Sequence, residues 1–449
     1  MSSSLALMLV LLAAPIPVFA AVRWRRALLF ALPLLVVLNG LPLSVGGTTV
    51  RLDQLAACLL VIPLVLSVIA GSRRLRTDET TWWLAALLVM NLLASVVNSP
   101  ARAYSLLQCA NLASAWVIYF LLINYLDTRE ELNAFFIRCL WAALVGSGIG
   151  ILAFALALAG APVGGAEVST MAAESLTRAY GAYGTMVEPN IFGSFTGAMF
   201  VLAVGLLLAR SHDTISGATT RLTRVTASLC AIGVVLSFTR SAWIGVLVGL
   251  LVLLTLGRRI IGLRVARLAM PLAVGLVLVT ALLLLPGTAG DFLRFKFINL
   301  VNLESRTATL RLLTYAMAVD QTLAHPFLGW GTFTFAPLVA QGTDFARFEG
   351  WRNIWITNFL LLALHDTGII GGALWIGMLW SLLRRGIFAA RLFGDREPEL
   401  AGRAVALTAM AFSLIIPFLA TTGFSLGYPW MMLGVLGAHI RLSKDPTAT

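Results

Sequence analysis

Two arginines stand where chemistry on an anion would need them. Arg240 lies in Leu236-Ser237-Phe238-Thr239-Arg240-Ser241-Ala242-Trp243, inside an apolar run from about 225 to 257. As one helix that run would be roughly 50 Å long against about 30 Å of hydrocarbon, so it must be a hairpin or a broken helix with Arg240 near the tip. An arginine at the bilayer centre costs on the order of 3 kcal/mol, which puts Arg240 at the surface or in a polar cavity. The second, Arg311, shares a helix face with Tyr315 at i, i+4, and Arg306 lies just upstream. No DxD, HxxxH or clustered His/Asp/Glu set accompanies them in the sequence. A diphosphate bound here would be neutralised by guanidinium forks, whose bidentate bonds suit phosphate oxygens. Plainer readings stay open beside this one: an interfacial anchor for Arg240 and a solvated helix face for Arg311.

Other residues with chemical capacity each have a structural role to compete with. Glu188-Pro189-Asn190 offers a carboxylate, yet it is equally a helix start, with proline at the first position and an acid beside it. His365-Asp366 would lie about 15 Å deep if a span began at Trp355, a depth that signals function. A span beginning near Gly368 instead leaves residues 355–366 as an approach helix with the pair solvated, and this is the arrangement expected. His325 before Pro326 reads as a helix-end residue. Trp330, Phe333, Phe335, Trp351 and Trp355 either stack on sugars or form an aromatic belt at the membrane surface, the belt being the default. Cys58, Cys109, Cys139 and Cys230 sit in apolar stretches without CxxC spacing and read as small core residues.

The elements that must position these residues follow from composition. The 449 residues are 59% hydrophobic and only 12% charged, with a mean hydropathy of +0.92. A soluble domain is nearer about 25% charged. The composition therefore indicates an all-α polytopic membrane protein and excludes a disordered chain, a disulfide scaffold and a cytosolic enzyme. At about 20 apolar residues per span, about 12–13 spans emerge. They lie near 4–22, 27–45, 55–71, 82–98, 105–125, 134–160, 189–209, 225–239, 241–257, 268–287, 355–380, 404–421 and 423–440. The first ends in Val18-Phe19-Ala20-Ala21 but has no basic residue ahead of it, so it reads as a retained helix.

The formal charge of +12 would suggest nucleic acid in a soluble chain. Here the basic residues alternate between loops. One set carries Arg23/Arg25/Arg26, Arg73/Arg74/Arg76, Arg129, Arg210/Arg221/Arg224, Arg258/Arg259/Arg264/Arg267, Arg384/Arg385/Arg391/Arg396 and Arg441/Lys444. The early short loops of the other set carry only Arg51 and Arg102. The positive-inside rule places the first set in the cytoplasm, and no nucleic-acid partner is expected.

Four regions result: N-terminal helices over 1–160, central helices with a first outer loop and the Arg240 hairpin over 161–287, a large extracytoplasmic loop over 288–354, and C-terminal helices with a cytoplasmic tail over 355–449. Within the large loop, Leu310, Leu313, Met317 and Leu323 recur at helical spacing from Ser305 to Ala324. His325-Pro326 stops that helix and Gly329-Trp330-Gly331 makes a turn.

Four patterns in order then carry a family likeness. They are Gly184-Thr185-Met186-Val187-Glu188-Pro189-Asn190, Ser237-Phe238-Thr239-Arg240-Ser241-Ala242, Arg311 ahead of His325-Pro326-Phe327-Leu328-Gly329-Trp330-Gly331, and Thr357-Asn358-Phe359-Leu360 ahead of Asp366-Thr367-Gly368-Ile369-Ile370-Gly371. Over roughly residues 180–375 the chain resembles the O-antigen ligase/polymerase superfamily of bacterial membrane glycosyltransferases, and so the GT-C class of folds. The resemblance implies an enzyme of the inner membrane with its active site on the periplasmic side. Its donor would be a glycan on polyprenyl diphosphate, drawn from among the membrane lipids, and its acceptor a glycan or lipid-A core. Arg240, Arg311 and Glu188 would be catalytic, and Asn190, Arg306, Tyr315 and Asn358 would bind substrate. The two arginines would stabilise the leaving diphosphate with inversion at the sugar carbon, and no metal or other cofactor is implied.

One departure matters. The resemblance puts an acceptor-activating histidine before Asn358, and Thr357 stands there. A threonine is no general base near neutral pH. Glu188, Asp344 or Glu349 would act instead, or leaving-group stabilisation would suffice alone. The departure favours a polysaccharide polymerase over a lipid-A-core ligase. A rival from another class is a transporter or flippase for a lipid-linked glycan or other anion, with the arginines as its vestibule. It would need ionisable residues facing a central cavity through several spans, and these helices are nearly free of them.

Overall fold

The computed structural model describes residues 21–41, 43–45, 48–159, 161, 163–169, 179–209, 217–263, scattered positions between 277 and 294, 306–341, 355–394 and 397–443. The expected first span at 4–22, most of the span at 268–287, and Asp344, Glu349 and Trp351 lie outside the described residues, as does the side chain of Arg306.

The chain is helical nearly throughout. In order come α1 (Arg25–Val37), α2 (Leu52–Ile69), α3 (Glu79–Val97), α4 (Arg102–Tyr125), α5 (Arg129–Leu158), α6 (Pro189–Leu208), α7 (Gly217–Leu236), α8 (Arg240–Ile261), α9 (Arg306–Ala324), α10 (Phe335–Gln341), α11 (Phe359–Phe393), α12 (Pro398–Ile415) and α13 (Gly427–Leu442). Two short antiparallel hairpins add β1 (Leu43–Val45) with β2 (Thr48–Val50) and β3 (Ala166–Ser169) with β4 (Ala179–Ala182), which the all-helical reading did not anticipate. Among the described residues nine helices are long and apolar enough to cross a membrane; the last is α12 continued by a 3-10 turn to Ala420. Helices α1 and α13 are apolar but shorter.

Local chemistry fixes several helix starts. The carboxylate of Asp78 accepts from the Thr81 backbone N–H ahead of α3, and Thr128 does the same for Glu131 ahead of α5. Pro189 opens α6, where its missing N–H costs nothing. Because lipid offers no hydrophobic drive between helices, close approach through small residues must hold them together. At Gly249 of α8 a Cβ would stand 2.7 Å from the Ser413 Cβ of α12, so the two backbones meet where only glycine fits.

The arginines differ from the loop placement in one respect. Arg221 and Arg224 lie on α7, Arg258 and Arg259 on α8, and Arg384, Arg385 and Arg391 on α11, which continues well past the expected end at 380. Their long side chains reach polar partners from the helix ends, so no loop is required. They still share one face of the bundle with Arg73, Arg76 and Arg129. The starts of α6, α8, α11 and α13 share the opposite face, and the candidate site is there.

Beneath that face is an aromatic cluster. Trp375 of α11 meets Phe424 at 5.2 Å, Trp116 of α4 at 6.0 Å and Trp430 of α13 at 5.9 Å between ring centroids. Phe359, the first residue of α11, packs on Phe424 at 4.9 Å. Edge-to-face contacts of this kind form a stiff floor under the site.

Candidate active site

Helices α7 and α8 form the hairpin expected from the length of the apolar run, and Arg240 is the first residue of α8. The three residues of the turn explain the local sequence. Ser237 donates to the Val234 carbonyl at 2.7 Å, and its hydroxyl accepts the Thr239 N–H at 3.3 Å. The Trp243 indole N–H donates to the same Val234 carbonyl at 2.9 Å, locking α8 onto the end of α7. Phe238 between them is left-handed, with φ 51°. Arg240 is exposed at the N-terminus of α8, where the helix dipole already favours an anion. A cation there is locally unfavourable, and an anionic ligand would relieve both.

The second element is a break in α11. Gly368 has φ 64° and ψ −168°, a conformation open to glycine alone. The broken helical bonds are replaced by the segment after α9. Trp330 N–H donates to the His365 carbonyl and Gly331 N–H to the Asp366 carbonyl, both at 2.9 Å, while Ile369 N–H donates to the Pro326 carbonyl at 2.8 Å. The fit is so close that a Cβ on Gly329 would stand 2.5 Å from the Asp366 carbonyl carbon. Thus His325-Pro326…Gly329-Trp330-Gly331 and Asp366-Thr367-Gly368 are two halves of one joint. The break near Gly368 is as expected, but the expected solvation of His365-Asp366 is not. His365 is 0% exposed and Asp366 4%, because the 326–334 segment closes over them.

Inside the joint, His365 Nδ1 meets Asp366 Oδ1 at 2.9 Å and His365 Nε2 meets Gln321 Oε1 of α9 at 2.9 Å. The other Asp366 oxygen accepts the Phe333 N–H at 2.8 Å. Phe333, with φ 57°, and Phe238 are the two left-handed non-glycine residues among those described. Such backbone cost persists where surrounding structure imposes it, and both instances border the candidate site. The next residue back, Thr332, is anchored by Asn91 at 2.7 Å and lies against Cys109 at 3.0 Å, while Asn98 donates to the Gly329 carbonyl at 2.7 Å.

A cavity of about 350 Å³ opens on this face, within the range of ligand sites. Glu188, Tyr104, Phe333, Phe335, Trp355 and Thr421 are among its walls. Glu188 stands before α6 but does not cap its own helix; its Oε1 accepts from the Thr421 hydroxyl at 3.2 Å. A smaller cavity of about 40 Å³ adjoins it and is lined by Asp366, Asn91, Thr367 and Thr422. Phe333, Leu362, Thr422 and Ser425 border both.

The residues singled out from the sequence divide around this space. Glu188 lines the larger cavity, and Asn190 is the second residue of α6 beside it. Arg240 belongs to the neighbouring hairpin, since the Ser237 carbonyl and Pro189 both crowd Gly181 at 3.2 Å from where its Cβ would be. Arg311 and Tyr315 lie on α9, whose Met317 and Ala318 pack with Phe335 and Ile356. The Tyr315 hydroxyl lies 3.2 Å from the Thr357 hydroxyl, and Asn358 caps α11 through Leu360 and Leu361. Neither arginine lines the cavity itself. Among the described residues no carboxylate pairs with Arg240 or Arg311, whereas Arg51 on the same face is bound to Asp53 at 3.3 Å and to the Ser425 carbonyl at 2.9 Å. Also among the described residues, no three of His, Cys, Asp and Glu stand together as a metal site would require.

Trp330 does not face the cavity; its indole donates to the Gln321 carbonyl at 2.7 Å and its ring meets His325 at 4.1 Å. Sequence reasoning missed Tyr104, Thr421, Thr422 and Gln321. The one available signal was Thr421-Thr422-Gly423, a polar interruption between two apolar runs.

An α-helical multi-pass bundle with a polar site at one face is the class the architecture defines. The chain resembles the O-antigen ligase/polymerase superfamily, and residues 225–376 match the family model described as O-Antigen ligase. That interval contains the Arg240 turn, Arg311, the joint and Asn358. No curated protein matches the chain.

Proposed function

We propose that the protein is a glycosyltransferase of cell-surface polysaccharide biosynthesis, moving a glycan from polyprenyl diphosphate to an acceptor glycan. The observation that carries this is the pair of arginines left without carboxylate partners on the cavity-bearing face, one of them at a helix N-terminus. On this reading Arg240 and Arg311 hold the diphosphate, with Arg306 and Tyr315 beside them on α9. The sugar occupies the cavity against Phe333, Phe335 and Trp355, with Glu188, Asn190 and Asn358 oriented to its hydroxyls. An acceptor oxygen attacks the sugar C1 while the C1–O bond to diphosphate breaks on the opposite side. Polyprenyl diphosphate departs, its charge held by the guanidinium groups, and the anomeric configuration inverts. The basic face would be cytoplasmic by the positive-inside rule, which puts the cavity on the extracytoplasmic side of the inner membrane.

The test is to express Arg240→Ala and Arg311→Ala in cells lacking the native protein. Lipid-linked glycan should accumulate and polymer or ligated product should fall by at least about 100-fold, as for loss of a charge-stabilising group. The protein should remain folded in the membrane. Normal product in both variants overturns the reading, and proteoliposome transport without bond exchange favours a flippase.

A further inference from the structure

The proposed transfer needs a group to take the acceptor proton, and Thr357 is not one. We infer, on the glycosyltransferase reading, that Asp366 is the base and that His365 and Gln321 are its positioning residues. The carboxylate stands at the closed end of the space, in a side cavity of about 40 Å³ that joins the larger one. That volume admits a hydroxyl-sized group but no sugar ring. A ring in the larger cavity would thus present one hydroxyl to Asp366.

The carboxylate is also held as a base must be. Oδ1 is fixed by His365 at 2.9 Å and Oδ2 by the Phe333 N–H at 2.8 Å, leaving each oxygen a further lone pair. His365 is in turn fixed by Gln321 at 2.9 Å. The joint itself does not need the carboxylate, since backbone bonds from Trp330, Gly331 and Ile369 already close it. No arginine or lysine pairs with Asp366 among the described residues, although Asp53, equally buried, has Arg51. A structural carboxylate would be cheaper as an amide; one retained here has its charge in use. Glu188 lines the same space but is bound to Thr421 at the opposite wall, where it would orient hydroxyls. The step balances. The acceptor oxygen bonds to C1, the C1–O electron pair leaves on the diphosphate, and the hydroxyl proton moves to Asp366.

The experiment uses the full chain in proteoliposomes with a polyprenyl-diphosphate-linked oligosaccharide as donor and the corresponding free oligosaccharide as acceptor. Asp366→Asn keeps an acceptor for the Phe333 N–H and should lower kcat by about 10²–10⁴-fold with donor KM nearly unchanged. Gln321→Leu should lower kcat by about tenfold, again at unchanged donor KM, as loss of a supporting hydrogen bond does. Transfer at wild-type kcat in Asp366→Asn, or its loss only in Glu188→Gln, overturns the assignment while leaving the glycosyltransferase reading intact. Should Asp366→Asn not assemble, Gln321→Leu at wild-type kcat overturns it instead. A wild-type protein without transfer, or an Arg240→Ala variant with full transfer, removes the underlying reading.

Discussion

Asp78 and Asp366 are both carboxylates drawn out of water, and the protein surrounds them in opposite ways. Asp78, just before α3 on the basic face, accepts from the Tyr119 hydroxyl at 2.6 Å, from the Thr81 N–H and hydroxyl at 2.9 and 2.8 Å, and from Arg385 at 3.0 Å. Every lone pair is occupied and the charge is matched. Asp366 on the other face has one imidazole, one amide, no guanidinium and an open cavity beside it. The first arrangement is what a bundle needs to tie α3, α4 and α11 together. The second leaves capacity unspent, which stability alone would not select.

The comparison breaks most readily at Arg385. Arg385→Ala leaves Asp78 without its cation and should destabilise the protein by about 3 kcal/mol, read as a lowered midpoint in thermal unfolding from detergent. Transfer per folded molecule should be unchanged, because Arg385 is about 28 Å along α11 from Asp366. The same variant sharpens the acid response. Burial alone would raise the Asp78 pKa, but the Tyr119 and Thr81 hydrogen bonds and the Arg385 charge together hold it below the ordinary 3.8. A carboxylate lowered on folding stabilises fully above its unfolded pKa and loses that contribution as pH falls through the folded one. The wild type should therefore lose more stability between about pH 5 and pH 2 than Arg385→Ala does.

Gly368→Ala tests the opposite face. It forces a left-handed alanine into contact with the Phe327 backbone and should cost about 2 kcal/mol. Here stability and kcat should fall together, since the joint holds Asp366; a variant with lowered stability but wild-type kcat would detach the joint from the chemistry. Tyr315→Phe is the mildest. It removes the contact with Thr357 and should cost about 1 kcal/mol with only a small change in transfer. A large rise in donor KM would instead put the Tyr315 hydroxyl on the substrate.

Much of the frame was legible because it depends on length and punctuation. The Arg240 hairpin followed from an apolar run too long for one crossing, α9 from its apolar spacing, the start of α6 from Pro189, and the break in α11 from Gly368. The burial of His365-Asp366 was not legible, because it depends on a segment about 40 residues earlier filling the break with its own amides. Nothing in the hydropathy of either segment specifies that pairing. The left-handed backbone at Phe238 and Phe333 was equally hidden, since no propensity marks a phenylalanine for that region. Arg385 was read as a loop residue because charge normally ends a span. The sequence could not show that Asp78 and Thr80 would receive it on a neighbouring helix.

Those two phenylalanines carry a consequence for how the protein can change. Each sits in a backbone state that asparagine or glycine would adopt at lower cost, so a more stable chain is one substitution away at either position. Both lie on the face with the cavity, one beneath Arg240 and the other against Asp366. A screen for thermal resistance alone would drift towards replacing them. Variants that gain stability there are the ones in which turnover should be measured first.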